Sequence, residues 1–265
     1  MKPGKKFLAA TALLLAAASF LWQPQAIAEP GKLDKASCLS CHDGKKGKLE
    51  VPVKDGEKRE LAAVDPIKYA KGMHADMQCV DCHKEISDAV AMHKKNPEIA
   101  KPNCVTCHEA IWETVKKEKL TEEKSRLGLV VQNIEAYKKS FHARPDKDEP
   151  SRPKAYCEDC HNSHEFHVPP LGTAKRNAWH REIPKTCGEK CHDDQYQSYS
   201  ASVHGEAMLE KGDVKAADCA DCHTSHDIKG TSSDAFKLAN VNACGNCHKD
   251  EIGRASCRER VCQYV

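Results

Sequence analysis

The sequence is short of the residues that ordinarily build a protein interior. Between Glu29 and Asp250 it has 10 Leu, 7 Ile, 13 Val and 3 Phe in 222 residues, and aromatic residues are only 5% of the whole chain. So sparse a set does not furnish an apolar core of ordinary size. Long hydrophobic runs are missing beyond Trp22, which excludes a bundle of transmembrane helices from the rest of the chain. Neither charge sign predominates, since 41 Lys and Arg face 39 Asp and Glu for a formal net charge of +2. With no basic stripe interleaved with aromatic platforms, nucleic acid is not an expected partner. Strand-like alternation of any length is also missing, so the expected fold is mainly α with much irregular loop and no extended sheet. Taken bare, low hydrophobicity with 30% charged residues would describe a disordered chain.

Two residue types are abundant instead, with 16 Cys and 15 His. Six times the chain reads Cys-x-x-Cys-His: Cys38/Cys41/His42, Cys79/Cys82/His83, Cys104/Cys107/His108, Cys157/Cys160/His161, Cys219/Cys222/His223 and Cys244/Cys247/His248. A seventh triplet, Cys187/Cys191/His192, has three residues between its cysteines. Cys-x-x-Cys-His is the attachment signature of c-type haem. Two thiols at that spacing can each form a thioether to one vinyl group of the same porphyrin, and the adjoining His is then placed under the iron. A disulfide scaffold gives no reason for a His after each second Cys. Zinc sites need two Cys/His pairs converging on one ion, and a redox dithiol array would not be repeated seven times. The expected cofactor is therefore haem c, seven copies covalently attached, with more in a longer chain. Large apolar macrocycles then supply the core that the side chains do not, and folding should depend on haem attachment as small metal domains depend on their metal.

Eight histidines stand outside the triplets: His74, His93, His142, His164, His167, His180, His204 and His226. An internal repeat singles some of them out. Tyr69-Ala-Lys-Gly-Met-His74, Tyr137-Lys-Lys-Ser-Phe-His142 and Tyr199-Ser-Ala-Ser-Val-His204 share the pattern Tyr-x-x-small-apolar-His, each just upstream of an even-numbered triplet. His142 precedes Cys157 by 15 residues, and His204 precedes Cys219 by 15. His161-Asn-Ser-His164 and His223-Thr-Ser-His226 form a second correspondence, His-x-Ser-His. Shared placement marks His74, His142, His164, His204 and His226 as distal iron ligands. His93 and His180 complete the expected set, and His167 is the spare. Only Met73, Met77, Met92 and Met208 follow the N-terminal segment, so bis-His ligation is expected for most irons, and the lack of Met ligation favours low potentials. Which His serves which haem is not legible from spacing.

The chain's ends have their own signals. Lys2, Lys5 and Lys6 precede the apolar run Phe7 to Trp22, and Ala26-Ile27-Ala28 offers a small-x-small cleavage site. Residues 1–28 therefore read as a signal peptide, and the mature protein as periplasmic. Residues 251–265 depart from everything before them and resemble the in-frame translation of a sequencing adapter, so continuation of the true chain beyond Asp250 is expected. Residues 29–250 contain 35 basic and 37 acidic side chains, and haem propionates would make the loaded protein more acidic. Some lysines are then expected to neutralise propionates, others to dock a partner. A soft boundary is expected near residue 120, dividing a three-haem region (29–120) from a helix plus a four-haem region (121–250). Gly44 to Glu60 reads as an exposed loop. Leu127, Val130, Val131, Ile134 and Tyr137 predict a helix within the haem-free stretch Glu109 to Tyr156, with Glu122 and Glu123 near its start and Pro150 and Pro153 beyond its end.

With seven triplets, an export signal and Tyr-to-His repeats, residues 36–250 resemble the multihaem c-type cytochromes of anaerobically respiring bacteria, in particular cytochrome c3-like chains with doubled motifs. The resemblance implies electron transfer through stacked haems. Donors would be a quinol-oxidising membrane complex or a hydrogenase, and acceptors a terminal reductase or another cytochrome. Association with a membrane would come through a partner or through a C-terminal continuation. A Cys-x-x-Cys-Lys haem, as in the pentahaem nitrite reductases, is absent. Two readings stand: an electron carrier with filled axial sites and no catalytic residues, and a reductase of a small nitrogen or sulfur oxyanion with one open iron, where His167 or His180 would donate protons.

Overall fold

The computed structural model describes residues 33–52, 58–87 and 102–249. The signal segment, His93 and the 251–265 tail lie outside these residues. Within them the chain is a succession of short helices and loops, mainly α as the sequence predicts. Its one sheet among the described residues is a two-stranded antiparallel hairpin, β1 (Leu49–Pro52) and β2 (Lys58–Leu61), with Leu49 opposite Leu61 and Val51 opposite Arg59. The hairpin stands where a loop is expected. Cross-strand pairs Lys48–Glu60 (2.8 Å) and Lys58–Glu50 (3.0 Å) lie along it in solvent, so charge pairing replaces the apolar alternation a strand search relies on.

Two longer helices occupy the middle. Helix α4 (Cys104–Lys117) opens at the third triplet, capped by Asn103, whose side-chain oxygen accepts from Thr106 N–H at 3.0 Å. The haem-free stretch is therefore not structureless at its start, because the triplet's turn runs on through Trp112 and Val115. Helix α4 ends in a Schellman turn: Leu120 N–H donates to Val115 C=O (3.0 Å), Lys119 N–H to Lys116 C=O (3.2 Å), and Lys119 takes φ +60°. Helix α5 (Ser125–Lys138) follows where the 3.6-residue pattern places it and packs against α4. Glu122 and Glu123 lie in the turn ahead of it. A Cβ on Gly128 would sit 2.9 Å from Trp112 Cη2, so this crossing uses the missing side chain. The expected boundary near residue 120 falls in the α4–α5 turn.

The remaining elements are α1 (Lys35–His42), α2 (Pro66–Tyr69), α3 (Cys79–Cys82), α6 (Cys157–Cys160), α7 (Ala174–Arg181), α8 (Ile183–Gly188), α9 (Asp193–Ser200), α10 (Val203–Gly205) running into a π turn (Glu206–Glu210), α11 (Cys219–His223) and α12 (Asp234–Cys247). Buried large apolar side chains are few among the described residues: Val115, Ile134, Met208 and Phe236, of which Met208 alone is fully enclosed. Large apolar residues such as Leu171 and Ile67 lie exposed. Side chains alone make little core, as the composition requires.

Candidate functional site

The triplets are mounted in two ways. The odd-numbered ones sit at the ends of longer helices: Cys38, Cys41 and His42 close α1, Cys104 opens α4, Cys187 lies near the end of α8, and Cys244 and Cys247 close α12. The even-numbered ones form isolated single turns, α3, α6 and α11, which are too short to persist without outside support.

That support repeats. All three even triplets carry Asp two residues after the first Cys, and its carboxylate accepts from the backbone N–H just before the motif. The bonds are Gln78 N to Asp81 Oδ2 (2.7 Å), Tyr156 N to Asp159 Oδ2 (2.7 Å) and Asp218 N to Asp221 Oδ2 (2.9 Å). The tyrosines of the Tyr-to-His repeat hold the same spot from the other side. Each hydroxyl donates to the carbonyl two residues ahead of the first Cys: Tyr69 to Met77 (2.9 Å), Tyr137 to Ala155 (2.6 Å) and Tyr199 to Ala217 (3.0 Å). Burial pushes the Tyr137 and Tyr199 hydroxyls up to about 12, so both remain donors. The sequence displays this tyrosine and this aspartate, but only the fold gives them a task.

The seventh triplet, with its extra residue, keeps the same register. In the regular motifs the His N–H donates to the first Cys carbonyl, as His83 to Cys79 (2.9 Å), His161 to Cys157 (2.8 Å) and His248 to Cys244 (2.9 Å). His192 N–H donates to Cys187 C=O at 3.1 Å, so the insertion is absorbed in one wider turn. Gly188 permits it, since a Cβ there would fall 2.4 Å from Tyr196 Cβ.

Imidazoles meet in pairs, each joining one triplet histidine to one histidine of the repeat. Ring centroids are 6.0 Å apart for His74/His108, 6.2 Å for His83/His164, and 6.1 Å for His142/His192, His161/His226 and His204/His248. Two imidazole nitrogens on one metal, each about 2 Å from it with the ring centre about 1 Å behind, place the centroids about 6 Å apart. Other aromatic contacts in the chain scatter from 4.7 to 6.5 Å. The residues therefore fit a haem iron with two axial histidines at five places. Burial holds His74, His83, His142, His161, His164 and His226 below the usual histidine range, which leaves them neutral, the form that binds metal. His74 also bonds to the Ser163 backbone, and His108 Nδ1 lies 2.9 Å from Cys104 C=O, which orients both rings.

Other expected ligands are placed differently. His180 is not brought to a triplet imidazole: its Nε2 is 3.1 Å from Oδ2 of Asp218, whose side chain is 1% exposed. Burial and the neighbouring Asp221 raise the Asp218 pKa, and His180 opposes them. Asp218 and Asp221 also cap α11, so the trio has a structural task already. His167 is exposed, as expected of the spare. His42 acts electrostatically on His83.

Consecutive triplets are neighbours in space all along the chain. Cys38 interacts with Cys79, Cys104 with Cys157 and Cys187 with Cys219; the first contact raises the Cys38 thiol, and in the other two pairs both thiols are perturbed. In alternation, Cys82 feels Cys107 and Cys104, Cys160 feels Cys187 and Cys191, and Cys222 feels Cys244 and Cys247. Seven attachment points thus follow one another in sequence order.

Cys41 departs from this pattern. Spacing makes it equivalent to Cys107, Cys191 and Cys247, the second thiols of the other odd triplets, each of which acts on the second thiol of the even triplet before it. No even triplet precedes Cys41 in the sequence. Its contact is instead local: Cys41 Sγ lies 3.8 Å from the hydroxyl oxygen of Ser40, the adjoining residue of α1. The thiol is half-buried, and it is free like those of the other triplets.

A thin helical wrapping around serial attachment points defines a multihaem cytochrome. Residues 71–235 match the family described as outer membrane cytochrome MtrC/MtrF-like, domains II/IV, and the chain belongs to that family, a family of multihaem electron-transfer proteins. No curated protein and no solved structure matches it significantly. No helix among the described residues is long and apolar enough to cross a membrane.

Proposed function

We propose that this chain is an exported electron relay of the cell envelope, carrying at least seven covalently attached haems in a line, most with two axial histidines. The attachment residues are the seven Cys/Cys/His triplets. Axial pairs are His74/His108, His83/His164, His142/His192, His161/His226 and His204/His248, with His42 and His223 as the remaining proximal ligands and His93 as a further distal one. The observation that carries this reading is the repetition of one imidazole separation, 6.0 to 6.2 Å, at five places that each combine a triplet with a repeat histidine. Each bound haem would supply a one-electron couple. The protein's own residues set the order and spacing of the couples, keep the axial imidazoles neutral and oriented, and shield the five paired irons from small molecules.

Partners are then other redox proteins: a quinol-oxidising membrane complex or hydrogenase on the donor side, and a terminal reductase or further cytochrome on the acceptor side. The family description places related cytochromes at the outer membrane. The signal segment at residues 1–28 supports export, and periplasmic residence is the form this chain's relay would take. Film voltammetry of the haem-loaded protein tests the function. The expected result is reversible uptake of one electron per covalent haem at low potential, unchanged by nitrite or sulfite. A catalytic wave with either anion would replace the relay by a reductase.

A further inference from the structure

The repeat units are docked to one another by one recurring clamp. In the first instance, Met73 N–H donates to Phe166 C=O at 2.9 Å, just before His74 on one side and two residues after His164 on the other. In the second, Phe141 N–H donates to Ile228 C=O at 2.7 Å, just before His142 and two residues after His226. The clamp brings the histidine of each His-x-Ser-His segment onto the preceding even triplet, His164 to His83 and His226 to His161. In the second clamp a small residue helps the approach, since a Cβ on Gly230 would lie 3.3 Å from the Phe141 ring, closer than an ordinary contact. Thus the residue before each Tyr-repeat histidine receives the carbonyl of the next unit, and the even triplet receives its imidazole.

The third unit presents the same donor. Val203 stands before His204 as Met73 stands before His74 and Phe141 before His142. Its N–H has no acceptor among the described residues, and it is 78% exposed, against 44% for Met73 and 36% for Phe141. The matching even-triplet histidine is His223. No imidazole among the described residues is set against it at the distance of the five pairs. Its ring stacks on Phe236 at 4.8 Å, and the nearby His192 is already opposite His142. Leu238, on the following helix, is 70% exposed.

We propose that Val203 and His223 form a docking face for a further haem-doublet unit of the same design, whose His-x-Ser-His segment donates its last histidine to the iron held by His223 and its carbonyl two residues later to Val203 N–H. The occupant is specified by the two docked copies inside this chain. A second copy of this chain is a poor candidate, because both of its His-x-Ser-His segments are engaged on His83 and His161. Until such a unit docks, the His223 iron takes exogenous ligands. This inference rests on the haem reading above.

The test uses the haem-loaded full chain and an acetylated heptapeptide copying Thr224–Gly230, which holds one histidine and the clamp carbonyl. Pyridine haemochrome and intact mass first count the haems; a haem-free protein would sink the relay reading itself. With haems present, a high-spin, carbon monoxide-reactive iron is expected that the peptide converts to low spin with about tenfold tighter affinity than free imidazole. Val203→Pro removes the N–H while suiting the first position of α10, and should cancel that advantage without changing imidazole binding. A peptide with Ala for its histidine should not bind. The proposal is overturned if no iron exchanges ligands, if the peptide gains nothing over imidazole, or if Val203→Pro leaves the gain intact. It is also overturned if self-association of the chain is what blocks the site.

Discussion

Tyr137→Phe isolates the device that carries the even-numbered triplets. The Tyr137 hydroxyl donates to Ala155 C=O at 2.6 Å, across 18 residues of sequence, and fixes the backbone entering α6. Phenylalanine keeps the ring and its packing and strands a part-buried carbonyl. A fully buried orphan acceptor costs about 1–3 kcal/mol, and partial exposure here brings the expectation to about 1–2 kcal/mol. In a chain of this size that lowers Tm by about 2–8 °C. The assay is thermal unfolding of the haem-loaded protein followed at the Soret band, with haem content checked by pyridine haemochrome. Tyr199→Phe, which breaks the equivalent 3.0 Å bond to Ala217, should cost a similar amount. Tyr69→Phe should cost more, since that hydroxyl also reaches His74 C=O at 3.1 Å. Tyr196→Phe is the control, because that hydroxyl has no acceptor among the described residues. If the three repeat tyrosines and the control behaved alike, the tyrosines would be packing residues and the pinning argument would fail.

Three further outcomes are expected. His226→Ala should open the iron held by His161 and raise the number of carbon monoxide-reactive haems by one in a titration of the reduced protein; no increase would mean that the 6.1 Å His161/His226 pair is not an axial pair. Gly188→Ala drives a Cβ to 2.4 Å from Tyr196 Cβ, so it should destabilise the fold by about 1–3 kcal/mol and lower haem occupancy at the Cys187 triplet, read by peptide mass mapping. Lys119→Gly should raise stability by about 0.5–1 kcal/mol, because Lys119 holds φ +60° at the end of α4, and an unchanged melting temperature would argue against that turn.

What the sequence reveals and what it hides divide along physical lines. Covalent attachment demands a fixed local spacing, so the triplets are legible as text. Helix α5 is legible too, because its apolar face repeats every 3.6 residues through Leu127, Val131 and Ile134. The imidazole partners are not, since His164 reaches His83 over 81 residues and nothing local encodes that reach. His180 shows the converse. It completes the expected set of ligands, yet the fold turns it to a buried carboxylate 38 residues on, whose burial no spacing discloses. The β1–β2 hairpin is invisible because charge pairs, not alternation, line it, and a composition rich in Lys and Glu masks the run of α4 beyond its triplet.

The pairing pattern also accounts for the serial order of the triplets. Each Tyr-repeat histidine serves the odd triplet of its own unit: His74 faces His108, His142 faces His192 and His204 faces His248. Each His-x-Ser-His histidine instead reaches back to the even triplet of the unit before, as His164 to His83 and His226 to His161. One histidine closes a unit and the other ties it to its neighbour, so no unit is complete alone. A chain assembled this way can add units only at its ends, in the manner of repeat proteins, and contacts between triplets stay nearest-neighbour. Branching would need a histidine that skips a unit, and none of the five pairs does so. In the proposed relay, electrons would pass in the order of the motifs, and a longer relay would arise by repetition of one docking rule.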